Sequence, residues 1–238
     1  MATYLVAQPY DRMMPVRNRR ESVTGVTGSH NDATWEQLGS SYETVARKYE
    51  ATFVNELADK PRDSELLSRF ADAVSDPILE VGCGPGQVGS FVRERGRAVC
   101  GLDLSSEMVK LARARLDGAV LGDLRCLPVA AGSLGGLLAF YCFIHVRRHE
   151  LPEVLQEVHR VLRPGGRVLF TVHEGEGEIT RDQFLEEAVP FIATLYVLDE
   201  LVAMCRDADL VVALAERREP YPSETTVRLF VEALRPES

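Results

Sequence analysis

Three glycines, two carboxylates and one histidine stand at spacings that suggest chemistry. Gly82, Gly84 and Gly86 alternate with Cys83 and Pro85, directly after the apolar run Ile78-Leu79-Glu80-Val81. A run of this kind that ends in glycines is how a buried parallel strand hands over to a tight turn before a helix. Three missing side chains let a ligand approach the backbone, and the amide end of the next helix adds partial positive charge. Asp103 comes 21 residues after Gly82, and Asp123 a further 20. Each ends a predicted strand. At the second strand's tip an acid can accept both hydroxyls of a ribose; at the third, it can accept from an adenine amine. His145 follows the fourth predicted strand and titrates near neutrality, which suits a general base. The competing reading of a lone histidine there is a hydrogen bond to the backbone. His173, past the fifth strand, faces the same edge.

The periodicity around these residues predicts the elements that position them. Tyr42, Val45, Ala46, Tyr49, Phe53 and Leu57 share one helical face, so a helix covers about residues 35–57. A second helix covers about 63–74, with Leu66, Leu67 and Phe70 on one side. Both precede the first strand and can cap the sheet's carboxyl edge. Strands follow at about 77–81, 98–102, 119–121, 137–142 and 167–172, with helices between them. Ser105 is a natural N-cap for the helix after the second strand. Residues 174–178 read as a solvated acidic loop. A helix near 198–206 then leads to strand candidates at 210–215 and 225–234, which must pair antiparallel. The order defines an α/β fold: a doubly wound, mostly parallel sheet that binds ligands outside the strands' carboxyl ends. The expected organisation is a flexible N-terminal arm at 1–33, a helical cap at 34–75 and a cofactor-binding domain at 76–236.

Composition narrows the classes of partner. A chain of 238 residues with 45% apolar content can bury a sizeable core. Its net charge of −9 argues against a broad nucleic-acid-binding surface. The five cysteines are scattered without a C-x-x-C pair, and no metal-ligand spacing appears. No stretch is long enough to span a membrane. The expectation is a cytoplasmic protein with no nucleic-acid partner, no membrane association and no metal.

The glycine turn itself admits two cofactors. Gly84-Pro85-Gly86-Gln87-Val88-Gly89 satisfies the letter of a dinucleotide turn. Counted from the strand's end at Gly82, however, the third glycine would fall at Gln87. The alternative is that Glu80-Val81-Gly82-Cys83-Gly84-Pro85-Gly86 resembles the E/D-x-G-x-G-x-G signature of class I S-adenosylmethionine-dependent methyltransferases. Leu162-Arg163-Pro164-Gly165-Gly166 resembles the turn before the fifth strand in that family, and Asp123 fits its pattern better than a dinucleotide one. The resemblance covers about residues 40–235 and is closest to the methyltransferase type 11, or UbiE-like, small-molecule branch. It implies a seven-stranded Rossmann-like sheet and S-adenosylmethionine as cofactor, with S-adenosylhomocysteine as product. It also implies that Gly82, Gly84 and Gly86 lie under the methionyl part and Asp103 holds the ribose. Asp123 and the Leu124 backbone would read the adenine, the Tyr141 carbonyl would take the amino group, and Tyr49 would fold over the cofactor. Glu80, Cys83 and Leu104 complete the implied cofactor-binding set.

A sulfonium methyl is already activated, so the protein mainly aligns the acceptor and excludes water. A base is needed only where the acceptor must lose a proton, and His145 is the leading candidate. Phe140-Tyr141-Cys142-Phe143 replaces the Asn-Pro-Pro-Tyr or Asp-Pro-Pro-Tyr that adenine-amine methyltransferases would carry after the fourth strand. The expected activity is methyl transfer to an O, N or C atom of a small organic molecule, of the kind found in secondary metabolism. Two other readings stand beside it. An NAD(P)-dependent oxidoreductase would need a motif such as Tyr-x-x-x-Lys, yet Lys110 is the last lysine. A non-catalytic S-adenosylmethionine-binding module would show a degraded site. Calorimetric titration separates them: S-adenosylhomocysteine should bind at micromolar concentration, lose that binding in Asp103→Ala, and leave NADH silent.

Overall fold

Short strands buried on both faces set the sheet, and the crossover helices cover those faces. The computed structural model of the protein describes residues 31–237. Residues 1–30, the bulk of the expected arm, lie outside the described residues. Two helices come first, α1 (Asn31–Phe53) and α2 (Pro61–Ala73). A parallel βα succession follows. It comprises β1 (Ile78–Val81), α3 (Gln87–Arg93), β2 (Val99–Asp103), α4 (Ser106–Ala112), β3 (Gly118–Leu121), β4 (Leu134–Phe140), α5 (Leu151–Val161) and β5 (Leu162–Glu174). The chain then runs through β6 (Glu178–Arg181), β7 (Phe191–Tyr196), α6 (Leu198–Asp207), β8 (Val211–Arg218) and β9 (Arg228–Leu234).

Strands β3-β2-β1-β4-β5 pair in parallel in that order. The order reverses at β1 and β4, the switch point where α/β sheets leave a crevice at their carboxyl ends. β9 lies antiparallel between β5 and β8, so the expected antiparallel ending is present. These seven strands form the doubly wound sheet. The full sheet has nine strands, because a β6–β7 hairpin extends it from the end of β5, where His173 and Glu174 pair with Leu195 and Tyr196. That hairpin occupies the stretch read from sequence as an acidic loop and an unassigned segment. Its first strand, Glu-Ile-Thr-Arg, carries one apolar residue, too few for a period of two to register.

Successive side chains sort to opposite faces as a pleat demands. Leu79, Val81, Leu137 and Ala139 pack with α5 and α6 residues such as Leu155 and Leu201. Ile78 and Leu138 pack on the other face with Leu67 and Phe70 of α2 and Val88 and Val92 of α3. Thus α2 is a face helix, not a cap. Its Leu66, Leu67, Phe70 and Ala71 make a stripe buried against the sheet. Only α1 lies along the carboxyl edge. Its Glu43 accepts hydrogen bonds from the Ser105 and Ser106 hydroxyls (2.7 Å each) and from the Glu107 amide (3.1 Å), closing the N-terminus of α4. Ser105 also caps that helix through the Met108 amide at 3.2 Å. No helix among the described residues is long and apolar enough to cross a membrane.

The join between β1 and α3 tolerates no side chain at Gly89. A Cβ there would collide with the Glu80 carboxylate and stand 2.8 Å from Leu116 Cδ2. Gly89→Ala should therefore destabilise the fold by about 1–3 kcal/mol, as overpacking does, measured by urea unfolding.

Candidate active site

The turn after β1 is built from left-handed residues. Gly82, Gly84 and Gly86 have φ of +59°, +51° and +84°, values that glycine adopts without strain. They differ in what they face. A Cβ on Gly82 would lie 2.7 Å from Cys142 Cβ, so Gly82 makes room for the residue after β4. One on Gly84 would enter open space 3.6 Å from a Tyr49 ring carbon. One on Gly86 would press on Ala112 and Leu116 at 3.2 Å, so that glycine lets α3 pack against α4.

A cavity of about 590 Å³ opens beyond the carboxyl ends of β1, β2 and β4. Gly82, Gly84, Asp103, Leu104, Leu124 and Tyr141 line its sheet side. Tyr42 and Tyr49 cover it from α1, with Trp35 toward Leu124 and His145 at the far wall. Glu80, Cys83, Gly86 and Asp123, expected to bind the cofactor, are not among its lining. Glu80 faces the sheet's other side and accepts from the Gly89 amide at 3.0 Å. Cys83 is buried beneath the turn against Gly101. Asp123 does sit at the tip of β3, but both its oxygens are taken by the Arg125 guanidinium in a bidentate pair. Arg125 in turn lies 4.5 Å over the Trp35 ring.

Asp103 is both structural and available. Its Oδ2 accepts from the Gly84 amide at 2.8 Å and its Oδ1 from the Ser105 amide at 2.9 Å. Each oxygen keeps a second lone pair, and the residue lines the cavity. Burial pushes its carboxyl up to about 6, against the pull of those amides. The geometry suits an adenosine-bearing ligand: bare backbone at Gly82 and Gly84, a carboxylate at the second strand's tip, and an apolar Leu124–Trp35 end.

His145 stands in a short 3₁₀ turn after β4 and is half-buried. Its Nδ1 lies 2.7 Å from the Ile192 carbonyl, which can only accept. The proton is therefore on Nδ1, and the Nε2 lone pair accepts from the Tyr42 hydroxyl at 2.8 Å. Burial pushes the imidazole down to about 4, so it is neutral at physiological pH. The same burial holds the Tyr42 phenol well above its ordinary value. The backbone hydrogen bond is made by Nδ1, and Nε2 keeps a lone pair that the Tyr42 hydroxyl meets. Tyr42 carried a signal in the sequence, as a tyrosine on the apolar face whose hydroxyl needs a partner once buried. His173 stacks on Tyr141 at 5.6 Å and engages the Thr226 hydroxyl at 3.1 Å.

A second cavity of about 1100 Å³ shares Tyr42, Tyr49 and Tyr141 with the first. Ile179, Arg181, Phe184 and Phe191 close it from the β6–β7 region. Among the described residues no cluster of three or more His, Cys, Asp or Glu side chains is placed to hold a metal.

Known proteins share this design. Residues 78–166 match the family described as "Methyltransferase domain". An uncharacterized methyltransferase of Geobacillus kaustophilus is 29% identical over 65% of this chain and 72% of its own length. The malonyl-[acyl-carrier protein] O-methyltransferase of Salmonella typhimurium is 37% identical over 56% of this chain. The chain spans 52% of that enzyme's length. The Burkholderia thailandensis 1,6-didemethyltoxoflavin-N1-methyltransferase, solved with 1,6-didemethyltoxoflavin and S-adenosylhomocysteine, superposes with a TM-score of 0.67 at 20% identity. That match covers 94% of this chain and 99% of the other. A methyltransferase domain thus spans residues 78–166, and the chain shares the fold of these methyltransferases.

Burial also pushes Glu80 up to about 8. A carboxyl whose pKa is raised on folding binds more protons folded than unfolded, so stability falls as pH rises between its unfolded and folded values. For Glu80 that window runs from the ordinary glutamate value, about 4.5, to about 8. Glu80→Gln is neutral and can still accept from Gly89. Denaturant melts at pH 6 and pH 8 should differ less in the variant than in the wild type.

Proposed function

We propose that the protein methylates an O or N atom of a small organic acceptor, and that Tyr42 and His145 take up the proton the acceptor loses. The observation that carries this reading is the part-buried Tyr42–His145 hydrogen bond, whose tyrosine lines both cavities and whose histidine lines the smaller one. S-Adenosylmethionine, when bound, supplies an activated methyl group. In this reading Gly82 and Gly84 give it bare backbone, Asp103 accepts the ribose hydroxyls, and Leu104 and Leu124 flank the adenine. The Tyr141 carbonyl takes the amino group, and Tyr49 covers the site from α1. Asp123 acts at one remove, holding Arg125 against Trp35. Glu80, Cys83 and Gly86 shape the turn and do not touch the cofactor.

The acceptor occupies the larger cavity. Its aromatic walls exclude water and align the nucleophile, which accounts for most of what such a displacement requires. As the acceptor's O–H or N–H loses its proton, the Tyr42 oxygen accepts it and passes its own to His145 Nε2. Ile192 keeps the imidazole in the tautomer that can receive it. A low imidazole pKa makes His145 a weak base in water. Here its task is to accept from a phenol 2.8 Å away, once the transferring methyl has made the acceptor acidic. The heteroaromatic nitrogen acceptor named for the Burkholderia enzyme fits this scheme, and so does an enolic or phenolic hydroxyl.

The test is formation of S-adenosylhomocysteine across a panel of small phenols, enols and ring-nitrogen heterocycles. Tyr42→Phe and His145→Gln should each lower kcat by about 100-fold on the acceptor found. Together they should lower it no further than either alone, because they act as one unit. S-Adenosylhomocysteine affinity should stay within about threefold, since each variant keeps the side-chain volume. Unchanged turnover in both variants would refute the relay.

A further inference from the structure

The larger cavity has a charge pattern that its aromatic walls do not require. Lys60, Arg181 and Arg228 line it together with Phe53, Phe184 and Phe191. Glu56 is the one carboxylate among the described lining residues. Its oxygens are already engaged, one by Lys60 Nζ at 2.6 Å and the other by Gln87 Nε2 at 3.0 Å.

The nearest other carboxylate, Glu224, is oversubscribed. It takes the Arg218 guanidinium at 2.7 and 3.1 Å and the Tyr221 amide at 2.9 Å. Lys60 at 3.4 Å and Arg228 at 3.5 Å share what remains. Against its burial, the Arg218 guanidinium, the Tyr221 amide and the Arg228 charge hold its carboxyl well below the usual range, down to about 2. Asp63 is buried and spends its charge on Arg218, at 3.1 Å. Arg228 is only 8% exposed, and its Nε has no hydrogen-bond partner among the described residues. A buried guanidinium with a donor left over is costly unless something pairs with it. Arg181 makes no ion pair among the described residues and stands on the hairpin across the cavity. His173, between them, is pushed down to about 3 by burial and then by Arg228.

We infer that the methyl acceptor is an aromatic molecule carrying an anionic group, a carboxylate or a phosphate monoester, which Arg228 and Arg181 bind at the far end of the larger cavity. This deepens the proposed function and rests on it. The ring lies among Phe53, Phe184 and Phe191, and the anion fixes which atom of the ring system reaches Tyr42. The β6–β7 hairpin then does two things: it supplies Arg181 for recognition, and through Ile192 it sets the tautomer of His145.

The test uses the full-length protein loaded with S-adenosylhomocysteine. Matched aromatic acids, phosphate monoesters and neutral amides (hydroxybenzoates, hydroxyphenyl phosphates and hydroxybenzamides, with their hydroxycinnamate counterparts) are titrated by calorimetry. One anionic series should bind at least about 10-fold tighter than its amides, the size of one charge-assisted hydrogen bond. Whether acids or phosphate esters lead identifies the source of the anion. Arg181→Gln should remove most of that preference, and Arg181→Lys should restore part of it. S-Adenosylhomocysteine affinity should not move in either variant. Four results overturn the inference: equal or tighter binding of the amides; no binding by either anionic series; a preference that survives both Arg181→Gln and Arg228→Gln; or an equal loss of S-adenosylhomocysteine affinity in Arg181→Gln, which would assign the cations to the cofactor. Failure of the wild-type protein to bind S-adenosylhomocysteine at all would instead bring down the methyltransfer reading beneath it.

Discussion

A single half-buried line of hydrogen bonds, from the Tyr42 hydroxyl to His145 Nε2 and from His145 Nδ1 to the Ile192 carbonyl, is where the parts of the molecule meet. Its members come from α1, from the turn after β4 and from β7. Each finds its partner far away in the chain, and all are partly withdrawn from water. An unpaired polar group there would cost about 1–3 kcal/mol, so each of the three segments holds the other two in register. The neutral imidazole follows from this arrangement. Burial disfavours the charged ring, and the carbonyl commits one nitrogen as donor.

The sheet edge below this line is governed by steric exclusion. Gly82 is bare so that Cys142 can pack, and Gly89 is bare so that Glu80 can reach the amide at the start of α3. Asp103 then ties the turn to the tip of β2 by accepting from Gly84 and Ser105, while its remaining lone pairs face the cavity. Asp103 thus both makes the turn rigid and lines the cavity. A pre-shaped turn avoids an ordering cost that binding would otherwise have to meet.

The two cavities draw on different parts of the chain. Strands β1 to β4 and their loops provide the smaller cavity's sheet side, and this region coincides with the matched methyltransferase domain at residues 78–166. The larger cavity is closed by α1, the β6–β7 hairpin and the segment leading into β9, all outside that match. Aromatic contacts connect them: Phe184 with Phe191 at 4.8 Å, Tyr42 with Phe184 at 5.7 Å and Tyr42 with Tyr49 at 5.8 Å. An acceptor pocket assembled from such additions can diverge without disturbing the sheet.

Much of this was legible in the sequence because the signals were local. Short apolar runs at β1, β2 and β4, glycines where a turn needs positive φ, and a serine three residues before an amide it caps are properties of a few neighbouring residues. The succession of elements, the antiparallel ending, the Asp103 position and the candidacy of His145 followed from such short-range signals. What the sequence could not show was direction and partnership across long separations. Glu80 and Asp103 both lie at the carboxyl ends of strands, one before the last residue of β1 and one at the last of β2, yet Glu80 turns toward α3 and Asp103 stays at the cavity. Tyr42 and Tyr49 share one helical face seven residues apart, but only Tyr42 meets an imidazole, contributed from 103 residues away. The first strand of the β6–β7 hairpin has almost no hydrophobic pattern, and it is held by pairing with β7. Local spacing determined which groups are present at the sheet edge. Only the packing of distant segments decided which of them touch.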